Sequence, residues 1–171
     1  NFFTGIIIAR ACSKTELGLY SLGFSLVALL LNLQTSLITT PYMVYAPRLE
    51  ARARALYTGS TLIHQLVLCL VTMLGVMCGA FAVAHGLGPR GLAPVLWALV
   101  LVIGLILLRE YARSICFARL KLKTAFALDA FISVGQIGAL LVLARLRLLS
   151  ASRAYWVVGG VCGTAVFAWL W

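Results

Sequence analysis

Long uninterrupted apolar stretches recur along the whole chain. A transmembrane helix needs about 20 apolar residues to cross roughly 30 Å of hydrocarbon. Stretches of about this length cover approximately residues 17–42, 59–85, 91–112, 124–145 and 154–171, and a shorter one covers 1–11. Of the 171 residues, 63% are hydrophobic and only 11% are charged, whereas ordinary globular chains carry about a quarter charged residues. Lipid must therefore surround most of this protein, which excludes a soluble enzyme.

The apolar stretches are continuous and lack the alternation of polar and apolar residues that membrane β-strands show. We therefore expect an all-α fold, a polytopic transmembrane helix bundle with about six spans, the first of them truncated. The spans form a single transmembrane domain over residues 1–171, since no soluble linker separates them. The sequence starts without methionine and stops inside an apolar run, so we expect it to be a fragment of a longer protein.

Basic residues account for the net charge of +10 and lie mostly between the apolar runs. Arg48, Arg52 and Arg54 fall in the second predicted connection, and five more fall in the fourth, within residues 109–123. The even-numbered connections carry more basic residues than the odd-numbered ones. The positive-inside rule therefore places them, and the N-terminus, in the cytoplasm. This distribution is typical of membrane topology, and we expect no nucleic-acid partner.

Polar residues inside a span are informative because each one costs free energy unless it meets water or a partner. Asp129, Ser133 and Gln136 are spaced to share one helix face, and Asp129 is the only acidic residue well inside a span. Its carboxylate costs about 2.5–3.5 kcal/mol there. It is expected to face a wet cavity, an Arg or a coupling cation, or to make only an interhelical hydrogen bond.

The second span carries a polar stripe that leaves Gln34 on another side. Its members are Ser25, Asn32, Thr35, Ser36, Thr39 and Thr40. A cavity wall and a polar helix interface both have this pattern. His64 begins the third span and is interpreted as structural or interfacial in preference to a proton relay, because no acid or second histidine lies one turn away.

Four arginines are candidates for drawing a phosphate-bearing headgroup into a cavity: Arg10, Arg48, Arg109 and Arg113. The alternative is topological anchoring at lipid headgroups. No metal-binding constellation and no nucleophile motif is present, and membrane transferases that hold a metal-pyrophosphate need several carboxylates. We therefore expect no catalytic residue, metal or cofactor, and no enzyme.

Shorter motifs predict local structure. Residues 13–16, Ser-Lys-Thr-Glu, form a capping box in which the Ser13 hydroxyl accepts from a backbone N–H while Glu16 reaches back to the cap. The Gly75-xxx-Gly79 and Gly159-xxx-Gly163 spacings predict close helix packing within the bundle. The five cysteines show no CxxC spacing and are predicted to be small core residues.

One segment, residues 6–30, reads IIIARACSKTELGLYSLGFSLVALL. It contains an Ala-Arg pair, a short loop with an acidic residue, and then the motif Gly-x-Tyr-Ser. The residues that carry this pattern are Arg10, Glu16, Gly18, Tyr20 and Ser21. This segment resembles the opening of polysaccharide exporters of the multidrug/oligosaccharidyl-lipid/polysaccharide superfamily, the Wzx-type flippases. A second segment, REYARSICFARLKLKTAFALDAF at 109–131, is similar to that family's basic cytoplasmic loop between the fourth and fifth helices.

The resemblance implies two six-helix lobes around a central cavity, of which this chain supplies the first. It implies alternating access that moves undecaprenyl-pyrophosphate-linked oligosaccharide across the inner (plasma) membrane for polysaccharide biosynthesis, such as that of O-antigen. Arg10, Arg48, Arg109, Arg113 and Asn32 are then candidates for the cavity and the phosphate, with Asp129 and Gln136 for ion coupling.

The partners implied by the resemblance are the lipid-linked oligosaccharide, membrane lipids, the second lobe of the same chain and polysaccharide-assembly enzymes. The alternatives are a drug or peptidoglycan-precursor exporter of the same superfamily and a non-transporting membrane scaffold for glycan-assembly enzymes.

Overall fold

The computed structural model describes residues 2–89 and 91–170, with the side chains of 2, 3 and 168–170 excepted. Residues 1 and 171, at the outer ends of the first and last predicted spans, lie outside the described part. The helices are α1 (Phe2–Ala11), α2 (Lys14–Gln34), α3 (Thr40–Tyr45), α4 (Ala51–Ala84), α5 (Leu92–Ala118), α6 (Leu122–Arg145) and α7 (Ala151–Leu170). No strand occurs within the described ranges, which confirms the all-α prediction.

Four segments are long and apolar enough to cross a membrane: Lys14–Arg48, Ala51–Ala84, Leu92–Ala118 and Leu122–Arg145. They correspond to the second to fifth predicted spans and indicate a helical membrane protein. The helix α1 has only 10 residues, and α7 has 20. That these two also enter the bilayer stays a prediction.

The helices extend further than the apolar stretches do. The helix α4 begins at Ala51 rather than at residue 59, and α5 continues to Ala118 rather than ending at residue 112. The prediction of connections is therefore wrong for five basic residues that lie on helices: Arg52, Arg54, Arg109, Arg113 and Lys123. Hydropathy indicates only which residues lie within the bilayer. Arg and Ala have high helix propensity both inside and outside it, so a helix can extend beyond its apolar stretch.

The second predicted span continues to Arg48 but is not a uniform α-helix. A π-helical turn occupies Thr35–Thr39 between α2 and α3, and the backbone N–H of Thr40 donates to the Thr35 carbonyl. Pro41 follows directly and has no N–H for the carbonyl of Leu37, and its ring would clash with that carbonyl in a regular α-helix. The wider turn accommodates this proline. A 3-10 turn, Ala46–Arg48, then leads to α4.

The helix α5 is the centre of the bundle. It packs against α4 and α7 along most of its length and also contacts α2, α3 and α6, while α1 lies against α6 and α2. Val95, Val102, Ile103 and Leu107 of α5 are at most 1% exposed. Because one helix touches nearly all the others, the side chains of α5 decide which groups meet inside the bundle.

The capping box is confirmed only in part. The Ser13 hydroxyl accepts from the backbone N–H of Glu16 at 3.3 Å. The Glu16 carboxylate, however, accepts from the backbone N–H of Ala151 at 2.6 Å rather than reaching back to its own helix. A carboxylate is favourable at the positive N-terminal end of α7, so Glu16 joins the N-termini of α2 and α7.

The two glycine spacings have different outcomes. A Cβ on Gly159 would lie 2.4 Å from Val102 Cγ2, and one on Gly163 would lie 3.5 Å from Leu105, so α7 packs closely on α5 there. Gly75 and Gly79 have nothing within 4 Å, so the prediction of close packing at this pair is wrong within the described bundle. Gly75 is exposed and Gly79 is half-buried.

The predicted burial of the cysteines holds for three of the five. Cys69, Cys116 and Cys162 are buried, Cys12 is half-buried and Cys78 is exposed. All five are free thiols. Cys78 lies on the same helix as Gly75 and Gly79, and its exposure corrects the core prediction for this residue.

Candidate functional site: a charged cluster beside a polar cavity

Four charged side chains meet near the C-terminal end of α5. Arg109, Glu110 and Arg113 come from α5, and Asp129 comes from the first half of α6. Arg109 Nη2 donates to Asp129 Oδ1, and Arg113 Nη1 donates to Asp129 Oδ2 at 3.4 Å. Arg113 also donates to Glu110 Oε1 from Nη2 at 2.6 Å and from Nε at 3.1 Å. The Nη1 atom of Arg109 lies 3.5 Å from Glu110 Oε2.

The cluster is electrically balanced, with two guanidinium groups and two carboxylates. Its side chains are between 18% and 36% exposed, so they are neither fully desolvated nor freely hydrated. The sequence predicted that Asp129 faces a wet cavity, an Arg or a cation, or makes only an interhelical hydrogen bond. In the structure its carboxylate pairs with two arginines. This pairing offsets the cost of placing a carboxylate at membrane depth.

Arg109 also lines a cavity between α2, α5, α6 and α7. The cavity has a volume of about 170 Å³. Its polar side chains are those of Arg109, Ser133, Gln136, Tyr20 and Tyr155, set among apolar residues of all four helices. The volume is below the roughly 300–1,000 Å³ of pockets that enclose whole small molecules, so this conformation admits one small polar group. Arg109 is the cluster residue that reaches this space.

Gln136 lies on the same face of α6 as Asp129 but bonds to a different helix. Its Nε2 donates to the Thr4 hydroxyl on α1 at 2.8 Å, and the side chain is buried. Asp129 is held by α5 and Gln136 by α1. The two candidates for ion coupling therefore have separate partners, although Gln136 also lines the cavity that Arg109 reaches.

The polar stripe of the second span faces outward, apart from the buried Thr39. Asn32 is exposed, its Nδ2 donates to the Ala28 carbonyl on its own helix at 2.9 Å, and it is not among the cavity residues. Gln34, on the other side, is fully buried and donates to the Leu107 carbonyl of α5 at 2.9 Å. The amide of Gln34 thus joins α2 to α5, while the stripe lies on the surface of the described bundle.

The candidate arginines lie at different ends of the bundle. Gly91 stands at the start of α5, and a Cβ added to it would lie 3.3 Å from Leu19 Cδ1 of α2. The start of α5 therefore lies beside the start of α2. Arg10 ends α1 at that same end and is exposed, whereas Arg109 lies in the opposite half of α5. Arg48 is exposed and follows α3. The structure brings Arg109 and Arg113 together and leaves Arg10 and Arg48 apart from them.

Sequence reasoning missed several tyrosines with structural roles. The Tyr155 hydroxyl donates to the Tyr20 carbonyl at 2.7 Å, and their rings stack at the cavity. Near the C-terminal end of α5, on the side of α4, the Tyr111 hydroxyl bonds with the Thr61 hydroxyl at 2.7 Å and donates to the Thr58 carbonyl at 3.0 Å. The available signal was a phenol inside an apolar span, since a buried hydroxyl needs a partner.

Within residues 2–89 and 91–170, no three His, Cys, Asp or Glu side chains are grouped so as to hold a metal ion. Comparison of the chain with protein-family models, with curated proteins and with solved structures gives no match.

Proposed function

We propose that this chain is a lobe of a membrane transporter that moves lipid-linked oligosaccharide, a glycan on undecaprenyl pyrophosphate, across the inner membrane by alternating access. The observation that carries the proposal is Arg109, which takes part in the charged cluster and also lines the cavity between four helices. A guanidinium group binds phosphate through two parallel hydrogen bonds. A permanent cation at membrane depth is costly and is typical of a substrate pathway.

In the proposed mechanism the pyrophosphate competes with Asp129 for Arg109. Asp129 has a second partner in Arg113, so Arg109 can turn to the phosphate without leaving the carboxylate unpaired. The phosphate brings negative charge to a site whose charges balance, and the freed oxygen of Asp129 becomes available to a cation or a proton. Substrate binding and ion binding are linked in this way through one shared arginine.

The outward-facing polar stripe of the second span, Lys14–Arg48, also supports the proposal. Asn32, Thr35 and Ser36 are exposed on a helix long and apolar enough to cross a membrane. Polar groups are unfavourable against lipid tails, so such a surface is expected to face water or other protein. In the proposed transporter this surface faces the second lobe and the path between the two lobes.

The test measures glycan export by the full-length protein carrying Arg109→Ala, Arg109→Lys or the control Arg145→Ala. Arg145 is an exposed arginine at the end of α6. We expect Arg109→Ala to lower export at least about tenfold at equal protein level, because a bidentate, charge-assisted contact is lost. Arg109→Lys should fall between, since it keeps the charge without the planar fork. Arg145→Ala should export normally.

A second variant separates loss of function from loss of folding. The double variant Arg109→Ala/Asp129→Asn removes one charge of each sign, so the cluster stays balanced. We expect it to accumulate in the membrane and still fail to export. Normal export by Arg109→Ala would contradict the proposal. Normal export together with loss of bound glycan-assembly enzymes would favour the scaffold alternative.

A further inference from the structure

A second concavity lies on the outside of the bundle, between α4 and the segment that joins α2 to α3. This groove has a volume of about 510 Å³. One wall consists of Leu37, Ile38 and Pro41, from the π-helical turn and the start of α3. The other wall consists of Tyr57, Ser60, Thr61, His64, Val67, Leu68 and Val71 of α4.

The π-helical turn and Pro41 account for the separation of the two walls. One end is closed by the Tyr42 ring, which stacks on the Tyr57 ring at 5.9 Å, and by the bond between the Tyr42 and Thr58 hydroxyls at 3.1 Å. Further along, the side chains spread apart, and Leu37 and Val71 are 60% and 59% exposed. The groove therefore opens on the outer surface of the described bundle.

The polarity of the groove changes along its length. Ser60, Thr61 and His64 lie toward the start of α4, and Val67, Leu68 and Val71 lie deeper. His64 Nδ1 donates to the Ser60 carbonyl at 2.8 Å, which leaves Nε2 as the polar atom for another molecule. From Ser60 to Val71 the helix rises about 16 Å, close to half of the roughly 30 Å hydrocarbon core. The groove is thus one leaflet deep, polar at its outer end and apolar at its inner end.

A basic residue of α4 lies about one helical turn beyond the Tyr57 end of the groove, outside its lining. Arg54 precedes Thr61 by seven residues, which puts both on the same face of α4. Arg52 lies on the opposite face from Thr61 by the same geometry. Arg54 is half-buried, and none of the ion pairs among the described residues includes it. Its positive charge complements an anionic headgroup above an apolar trough, an arrangement that binds anionic lipids between transmembrane helices.

We propose that this groove is a binding site for one anionic phospholipid, with an acyl chain along Leu37, Val67 and Val71 and the phosphate beside Arg54. The Ser60 hydroxyl donates to an ester oxygen of the glycerol region. The occupant is a phospholipid rather than a polyprenyl phosphate because the groove is one leaflet deep and a long polyprenyl chain would extend beyond it. The site is independent of the transport proposal, since none of its residues belongs to the charged cluster.

The test uses the full-length protein in mild detergent with equal amounts of phosphatidylglycerol and phosphatidylcholine, and native mass spectrometry counts the retained lipids. Val71→Trp fills the groove, and Leu70→Trp is its control, because Leu70 is equally exposed but lies outside the groove. Arg54→Gln removes the charge, and Arg52→Gln is its control on the opposite face. We expect one retained phosphatidylglycerol, preferred about fivefold over phosphatidylcholine. Val71→Trp and Arg54→Gln should each lower its occupancy about fivefold, while both controls retain it.

Three results would overturn the proposal. Equal retention of the two lipids would show that the site does not select an anionic headgroup. Equal lipid occupancy in Val71→Trp and Leu70→Trp would show that the lipid does not bind in the groove. Displacement of phosphatidylglycerol by equimolar undecaprenyl phosphate would assign the site to the polyprenyl chain instead. If Val71→Trp does not accumulate, the comparison of Arg54→Gln with Arg52→Gln decides alone.

Discussion

At the scale of single residues, Cys12 has a reactivity that its surroundings determine. It lies in the short connection between α1 and α2, and its thiol donates to the Leu149 carbonyl at 3.6 Å. Burial raises the pKa of the Cys12 thiol above its ordinary value of 9.0, and the negative charge of Glu16 raises this pKa further. At any pH near neutrality, Cys12 therefore has less thiolate than an exposed cysteine.

We predict that a maleimide labels Cys12 more slowly than a cysteine introduced by Leu87→Cys, in a background with Cys78→Ala. Leu87 is 75% exposed in the turn after α4. Because the Cys12 pKa is raised, its labelling rate should keep increasing with pH after that of the exposed cysteine has levelled off. Glu16→Gln should speed the labelling of Cys12 at fixed pH, since it removes the nearby negative charge. Equal rates for the two cysteines across the pH range would contradict the raised pKa.

Asp129 shows what sequence alone leaves open about one residue. Its rarity as an acid inside a span marked it as important, and the structure confirms that it has a partner. The partner could not be selected from sequence, because Arg109 and Arg113 are 20 and 16 residues away. Their meeting depends on how α5 and α6 fold back on one another at the Leu120 turn.

At the scale of helices, the α5–α7 contact depends on a glycine with no room for a methyl group. A Cβ on Gly159 would come within 2.4 Å of Val102 Cγ2, whereas a Cβ on the neighbouring Gly160 meets nothing within 4 Å. Val102 is buried and branched at Cβ, so it has little freedom to move aside. Replacement of Gly159 must therefore push the two helices apart.

We predict that Gly159→Ala lowers the free energy of unfolding by about 1–3 kcal/mol, the usual cost of overpacking. Gly160→Ala is the matched control and should be neutral or slightly stabilising, because Ala favours helix over Gly. Thermal unfolding of the two purified variants in the same detergent measures the difference. If Gly159→Ala melted at the same temperature as Gly160→Ala, the close contact would be disproved.

Helix interiors were predictable from sequence, and helix ends were not. The apolar runs fixed the centres of α4, α5 and α6, since lipid-facing and core residues are apolar alike. The ends extend beyond the hydrocarbon, where Arg52 and Arg113 remain helical although they no longer contribute hydropathy. The second span was predicted to end at residue 42, but the chain passes through the π-helical turn before Pro41 and continues as α3 to Tyr45.

At the scale of the whole molecule, the turn before α5 and the turn after it lie at opposite ends of the bundle. The exposed residues Leu87 and Leu120 stand in these two turns. The greater number of basic residues near the even-numbered connections predicts that Leu120 is cytoplasmic and Leu87 faces outward. This orientation also places the N-terminus of α1 in the cytoplasm.

We predict that a membrane-impermeant maleimide applied to intact cells labels Leu87→Cys in the full-length protein and does not label Leu120→Cys. Permeabilised cells should show labelling of both, which controls for the reactivity of each thiol. A background without native cysteines keeps Cys12 and Cys78 from contributing. Labelling of Leu120→Cys in intact cells would reverse the predicted orientation and move the charged cluster to the outer half of the membrane.

The sequence by itself determined that this protein is a helical membrane protein and approximately where its long helices lie, because transfer to lipid depends on local composition summed over about 20 residues. It also marked Asp129 as a residue that costs free energy in a bilayer, and Arg109 and Arg113 as candidates for binding a phosphate. Only the tertiary structure decided that these three pair with one another, that Arg10 and Arg48 stand apart, and that Gln34 rather than Asn32 faces α5. Hydropathy depends on each residue's own transfer free energy, whereas a contact depends on the rotation and crossing of two helices distant in sequence.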